Sequence, residues 1–228
     1  MKIYHISDTH THHNQLSLPE DIDVMVFSGD CSNPQNPIQN SIEVKSFLEW
    51  FAQVQAKHKI FVAGNHDTSI EKRIITKSEI ESYGIIYLEN THTTIEGVKF
   101  FGSPYTPTFG YGWSFNKQRN KIGKIWENVM EPDTDVIVTH GPPRSILDMA
   151  LKRSKEYEHC GDRSLLTQIY KTPSIKAVLF GHIHNNEDNI NSGMYINPNG
   201  VIFSNASVVT DRKFGKITSN GNVLTINK

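Results

Sequence analysis

Five short apolar runs, at residues 2–7, 23–28, 59–63, 135–139 and 175–180, each lead directly into histidine, aspartate or asparagine. The first is followed by Asp8 and His10, the second by Asp30, the third by Asn65, His66 and Asp67, the fourth by His140, and the fifth by His182 and His184. The runs are rich in Val, Ile and Phe, as strands buried on both faces are. In open α/β sheets, ligands gather beyond the carboxyl ends of the strands, which is where these polar residues stand. Singly, an Asp-x-His or a Gly-Asp is an ordinary turn. Five such endings in one chain point to a common site of metal-ligating side chains. In an extended chain, residues two apart point the same way, so Asp8 with His10, and His182 with His184, could each converge on one point. Gly29, Gly64 and Gly181 precede Asp30, Asn65 and His182 and permit a sharp exit from strand to loop.

Between the strands, residues 40–56 carry Ile42, Phe47, Trp50, Phe51 and Val54 at helical spacing, and residues 162–171 carry Leu165, Leu166 and Ile169. Alternating strand and helix implies an α/β sheet with outer helices. Toward the end, GMYIN, GVIFSN, FGKITS and NVLTIN are strand-like and separated by Gly and Asn turns, so an antiparallel second sheet is expected there. Residues 92–103 read as a hairpin turning at Gly97. Residues 103–120 form a long irregular stretch in which Pro and Gly alternate with Tyr105, Phe109, Tyr111, Trp113 and Phe115; its aromatics argue against disorder. No linker or repeat divides the chain, so residues 1–228 are expected to form one domain.

Composition narrows the chemistry. Eleven histidines against two cysteines favour imidazole and carboxylate ligation over thiolate. Cys31 and Cys160 make no disulfide framework, and the chain reads as cytoplasmic. A net charge of −1 gives no bulk nucleic-acid patch, and no apolar run is long enough for a membrane span.

The residues Asp8-x-His10, Gly29-Asp30, Gly64-Asn65-His66-Asp67, His140 and Gly181-His182-x-His184 together resemble the calcineurin-like metallophosphoesterase superfamily. The stretches at residues 102–107, 113–116, 139–143, 147–148, 180–184 and 205–207 are similar to its metallophosphoesterase-domain-containing branch, allied to class III cyclic-nucleotide phosphodiesterases. Animal members of that branch carry glycine where His182 stands, so its presence here implies a complete second metal site. The resemblance implies a four-layer αββα sandwich with two mixed sheets and two divalent metal ions. One metal would take Asp8, His10 and His184, the other Asn65, His140 and His182, with Asp30 bridging. His66 would be the acid or phosphate contact that binds no metal, with Asp67 fixing its tautomer.

Nitrogen and oxygen ligands suit manganese first, with Fe, Zn, Co or Ni as alternatives. The expected activity is hydrolysis of a small phosphoester by a hydroxide bridging the metals, with a phosphodiester of a nucleotide, cyclic nucleotides included, as substrate. A phosphomonoesterase or protein phosphatase, a nuclease, and a scaffold with a vestigial metal site are the alternatives; oligomeric state is left open. Asn33, Arg144, Tyr105 and Trp113 are candidate substrate contacts, each weighed against a structural role. His5, His12 and His13 are set aside as core or surface histidines, and Cys31 as a packed thiol.

Overall fold

A computed structural model describes residues 1–152, 154–186, 188–210 and 216–227. The chain opens with strands β1 (Lys2–Ile6) and β2 (Ile22–Phe27), helix α1 (Pro37–Gln53), β3 (Ala56–Phe61), short helices α2 (Thr68–Glu71) and α3 (Lys77–Ser82), and β4 (Ile86–Tyr87). A hairpin of β5 (Thr91–Ile95) and β6 (Val98–Ser103) follows, then β7 (Thr106–Pro107), β8 (Asn116–Lys117), α4 (Arg119–Val129) and β9 (Val136–Thr139). The remainder holds β10 (Met149–Leu151), β11 (Tyr157–His159), α5 (Arg163–Lys171), β12 (Ala177–Phe180), β13 (Gly193–Ile196), β14 (Ile202–Asn205) and β15 (Asn222–Thr225).

Two mixed sheets result, in the orders β15-β1-β2-β3-β4 and β13-β14-β12-β9-β6-β5. Side-chain alternation divides each strand between two cores. On β2, Val24 and Val26 face the other sheet while Met25 and Phe27 face α1; on β12, Ala177 and Leu179 face inward while Val178 and Phe180 face α4 and α5. The middle core therefore joins Ile3, Val24, Val26 and Ile60 of one sheet to Phe100, Val136, Val138 and Leu179 of the other. Phe47, Leu48 and Phe51 of α1 cover one outer face, and Ile122, Trp126, Leu165 and Ile169 of α4 and α5 cover the other. This is the expected helix-sheet-sheet-helix stack. Burial on both faces explains why the strands read as unbroken apolar runs.

Helix α1 begins three residues earlier than its apolar spacing suggests. Asn36 caps it through the amides of Ile38 and Gln39, and Pro37 occupies the first turn, where its missing N–H costs nothing. The hairpin turns as expected, with Glu96 and Gly97 both at positive φ, 49° and 77°, which a tight two-residue turn requires. Helix α4 escapes the sequence reading because only Ile122, Ile125 and Trp126 mark its inner side among Lys, Asn and Gly.

The expected separate C-terminal antiparallel sheet does not form. β13 and β14 are a hairpin, but β14 runs parallel to β12 and extends the six-stranded sheet, while β15 crosses to pair antiparallel with β1. Of the FGKITS piece, Phe214 and Gly215 lie outside the described residues, and the rest contributes one bridge, Val209 to Ile217. Gly and Asn turns are compatible with either pairing, and strand direction depends on contacts distant in sequence.

His5 and His13 are buried, as the strand and loop positions suggested. His5 spans the two sheets, its ring nitrogens each 2.8 Å from a hydroxyl, Ser204 on β14 and Ser28 after β2. His13 packs against Phe47 and Trp50, and neither of its ring nitrogens has a hydrogen-bond partner among the described residues. Burial pushes the imidazole pKa down to about 3 for His5 and about 4 for His13, from 6.5. Both are neutral in the folded chain and must gain protons to unfold in acid, so stability is complete above pH 6.5 and is lost as pH falls toward the folded values. The unfolding free energy should drop by about 1.4 kcal/mol per pH unit per histidine in that window. Urea titrations from pH 7 to 4.5 on the wild type and on His13→Leu should differ by one proton's slope.

Candidate metal centre

The parallel strands of both sheets end at the same rim, and there the polar residues collect. Asp8, His10 and His184 form one group, all buried, and Asp30, His140 and the partly exposed His182 a second; within each group one ligand atom per residue lies within 4.8 Å of the others. Asp30 belongs also to a group with His10 and His66, so its carboxylate stands between the two clusters. The Asn65 Oδ1 lies 2.9 Å and the Asp30 Oδ2 3.2 Å from the His140 Nε2. His182 and His184, which alternation alone would aim at one point, go to different groups. The backbone explains this: Asp8, His10, Asp30 and His182 all have positive φ, between 42° and 70°, so the chain beyond each strand is left-handed rather than extended. Non-glycine residues adopt this conformation at a cost of about 1–2 kcal/mol each.

The glycines serve two purposes. Gly29, at φ 107°, needs its conformation. Gly64 and Gly181 have ordinary backbone angles and are required for space: a Cβ on Gly64 would collide with the Asp30 carboxylate, and one on Gly181 with Ser7 and the Asp8 carboxylate.

Orientation comes from neighbours that the sequence reading assigned elsewhere. The Asn33 side chain, a candidate substrate contact, is used on His10: its Oδ1 lies 2.9 Å from the His10 Nδ1 and its Nδ2 donates to the His10 carbonyl. That leaves the His10 Nε2 as the ligand atom. The Ser28 carbonyl, 2.8 Å from the His140 Nδ1, does the same for His140. Ser207, on the segment after β14, donates to the Asp8 Oδ2 at 2.7 Å, and the His182 amide to the same oxygen at 2.9 Å.

Asp67 does not orient the His66 ring. Its carboxylate accepts from the amides of Asp30, Cys31 and Gly64, the Ser32 hydroxyl and the Cys31 thiol. Every hydrogen bond of that carboxylate is thereby spent on the loops after β2 and β3. The His66 ring instead has its Nδ1 3.4 Å from the Asn33 carbonyl and packs edge-on to His10 and 4.3 Å from Trp113. Burial and the neighbouring Asp30 raise the Asp67 pKa against the pull of its donors. The Cys31 thiol is buried, and burial with Asp67 beside it pushes its pKa well up, so it is a packed thiol.

Two further candidates move away from the site. Tyr105 packs into the helix-side cores, edge-on to Phe115 with the Lys117 ammonium 4.7 Å from its ring centroid. Arg144 turns aside because Pro142 and Arg144 pair with Asp162, and its Nη1 donates to the His159 carbonyl at 2.8 Å. It lines a hollow of 540 Å³ with Arg119 and Arg163, and among the described residues no candidate ligand borders that hollow. Trp113 stays at the rim. Phe109, which the sequence reading left within the aromatic loop, stands against His182 with ring centroids 4.9 Å apart.

The electrostatics fit a cation. Burial opposes ionisation of Asp8 and Asp30, yet His184 for the one and His140 for the other, with surrounding imidazoles, hold both carboxyls well below the usual range. Burial pushes His10 and His182 down to about 3, so both are neutral and carry a lone pair at pH 7. Burial would lower His140 too, but Asp30 and Asp8 raise it to about 9. A set of two carboxylates, imidazoles and an amide oxygen, with no thiolate, suits borderline divalent ions. Because Asp67 holds the loops and not the imidazole, Asp67→Asn should cost about 2–4 kcal/mol of stability, its amide N–H₂ meeting donors where an acceptor is needed; a lowered urea midpoint at unchanged slope is the expected readout.

Comparison with known proteins agrees with this geometry. The profile described as calcineurin-like phosphoesterase matches residues 1–186. Metallophosphoesterase domain-containing protein 1 of Homo sapiens is 29% identical over 201 residues, 78% of this chain and 59% of that protein. A UPF0046 protein of Caenorhabditis elegans is 30% identical over 206 residues, 85% of this chain and 67% of its own. The chain thus spans little more than half the length of the human relative. A solved crystal structure superposes with a TM-score of 0.67 over 90% of each chain at 15% identity, a likeness of fold alone. With a family profile covering most of its length and both sheets in place, the chain belongs to the calcineurin-like phosphoesterase family.

Proposed function

We propose that the protein is a two-metal phosphodiesterase acting on a small nucleotide, cyclic nucleotides included. Membership of the family supports metal-dependent phosphoester hydrolysis. The observation that carries the finer reading is the pair of His/Asp groups, Asp8-His10-His184 and Asp30-His140-His182, with Asp30 standing between them. Asn65 would complete the second set. When bound, two divalent ions would supply Lewis-acid polarisation of the phosphoryl oxygens and a lowered pKa for water.

The chain's own residues prepare that chemistry. Asn33 and the Ser28 carbonyl fix the ring orientation of His10 and His140, and Ser207 and the His182 amide fix the Asp8 carboxylate, so little reorganisation is needed when substrate arrives. His66 borders His10 and Trp113 at the rim, 7% exposed, in position to give a proton to the leaving oxygen or to bond a phosphoryl oxygen. Among its described contacts are the Asn33 carbonyl and the rings of Trp113 and His10. Manganese is the metal we assign first, and residues 1–228 are taken as one catalytic domain.

Protein stripped of metal and reloaded with Mn²⁺ should hydrolyse bis-p-nitrophenyl phosphate in preference to p-nitrophenyl phosphate, and Asp30→Asn should abolish the turnover. A preference for the monoester would replace the diesterase reading with a phosphatase, and a metal-loaded protein inert toward both would argue for a scaffold. His66→Asn should keep its metal content, measured by mass spectrometry, while kcat falls by about 10²–10⁴-fold; full turnover in that variant would remove His66 from the reaction.

A further inference from the structure

Beside His182 a slot of 210 Å³ opens between the aromatic loop and the segment that follows β9. Pro107, Phe109, Pro142, Ala150 and Ile183 form its walls, and Arg119 and Cys160 border it. A buried apolar cavity of about 150 Å³ accepts a benzene ring, so this slot has room for one aromatic ring system. The walls are chiefly apolar, and among the described residues no carboxylate lines them.

Two features give the slot a direction. Phe109 is half exposed and presents its ring beside His182, so a flat group lying against it stands next to the second candidate metal position. At the border, Arg119 is fixed in plane because its Nη1 and Nη2 donate to the carbonyls of Gly161 and Cys160 at 3.0 and 2.7 Å. A guanidinium held in this way offers positive charge to an anionic ester and a flat face to a ring. The far wall is preformed, since the Gly161 amide is held by Asp148 and the Arg144 and Asp162 backbones pair across it.

We propose that this slot binds the aromatic ring carried by the ester, a nucleobase on a nucleotide substrate, and so selects nucleotides over simple sugar phosphates. The proposal rests on the phosphoesterase reading for the position of the phosphoryl group, while the slot itself is judged by the ring. Phe109, Ala150 and Arg119 are its binding residues. A base lying on an aromatic wall typically changes affinity by about 5- to 150-fold.

The test compares uridine 5′-monophosphate with ribose 5-phosphate, which carries an anomeric hydroxyl in place of the base, as ligands of the Mn²⁺-loaded protein in calorimetric titrations, with uridine alone followed by amide chemical shifts of the metal-free protein, since Mn²⁺ broadens signals near it. The nucleotide should bind at least about 5-fold more tightly than the sugar phosphate. Ala150→Leu, which fills the slot, should bring the two ligands to equal affinity, and Phe109→Ala, at a half-exposed loop position, serves the same purpose if the first variant does not fold. Equal affinities in the wild type overturn the proposal, as does a preference that survives both substitutions. If neither phosphate binds but uridine shifts the amides of Phe109, Cys160 and Ile183, the slot stands and the phosphoesterase reading falls. If no ligand binds at all, both fall.

Discussion

His140 reaches across the sandwich. It ends β9 in the six-stranded sheet, yet its Nδ1 bonds the carbonyl of Ser28, at the end of β2 in the other. Three more contacts repeat the crossing at the same rim: His5 to Ser204, Ser207 to Asp8, and the His182 amide to Asp8. The middle core brings the sheets together without specifying register at its rim, because apolar contact is not directional. These polar contacts set it. Those of His140, His5 and Ser207 are buried, so each broken one leaves an unpaired group away from water, a cost of about 1–3 kcal/mol. Two candidate ligand groups can then be assembled from two sheets without a loop long enough to wander between them.

Holding those groups close has a conformational cost that the surrounding structure offsets. Asp8, His10, Asp30 and His182 are all left-handed, an arrangement that chains adopt where the fold over-determines it. Gly64 and Gly181 let the neighbouring backbone approach the carboxylates of Asp30 and Asp8 more closely than any side chain would allow. The Asp67 carboxylate completes the restraint on one side by gathering three amides from two loops. Its role is mechanical, because the donors it accepts from all belong to those two loops.

Much of this was legible in the sequence, for reasons specific to the residues concerned. The five strands that deliver the site are unbroken apolar runs followed by His, Asp or Asn, and both signals are local. The seven candidate ligands and His66 could therefore be named from spacing and resemblance. Asn33, Tyr105 and Arg144 stay open between substrate contact and structural role in the sequence, and Asp67 reads as a partner of His66, because their roles depend on partners far away in sequence or on the direction of a side chain after a left-handed residue. Asn33 looks like a substrate contact until His10 is placed beside it. Phe109 and Tyr105 stand four residues apart in one loop, and only the fold separates the ring that meets His182 from the ring packed on Phe115. The strand pairing of the C-terminal pieces was hidden for the same reason: Gly and Asn mark where a chain turns, while the sheet it joins is decided by the edges available.

The charge state of the rim follows from that geometry. Two ionised carboxylates, Asp8 and Asp30, are buried within reach of one another, a combination that an apolar interior tolerates only with compensating positive charge. Of the histidines around them, His10 and His182 are driven neutral by burial, whereas burial of His140 is outweighed by Asp30, which it faces directly, so its proton is favoured. The Asn65 and Asp30 oxygens both lie against the His140 Nε2. A divalent cation entering between those oxygens would displace that proton and meet a set of donors already pointed inward. The same buried carboxylates that make the rim costly to fold without a counter-charge are what would make it bind one strongly, so the expense of the fold and the affinity of the site have a single origin.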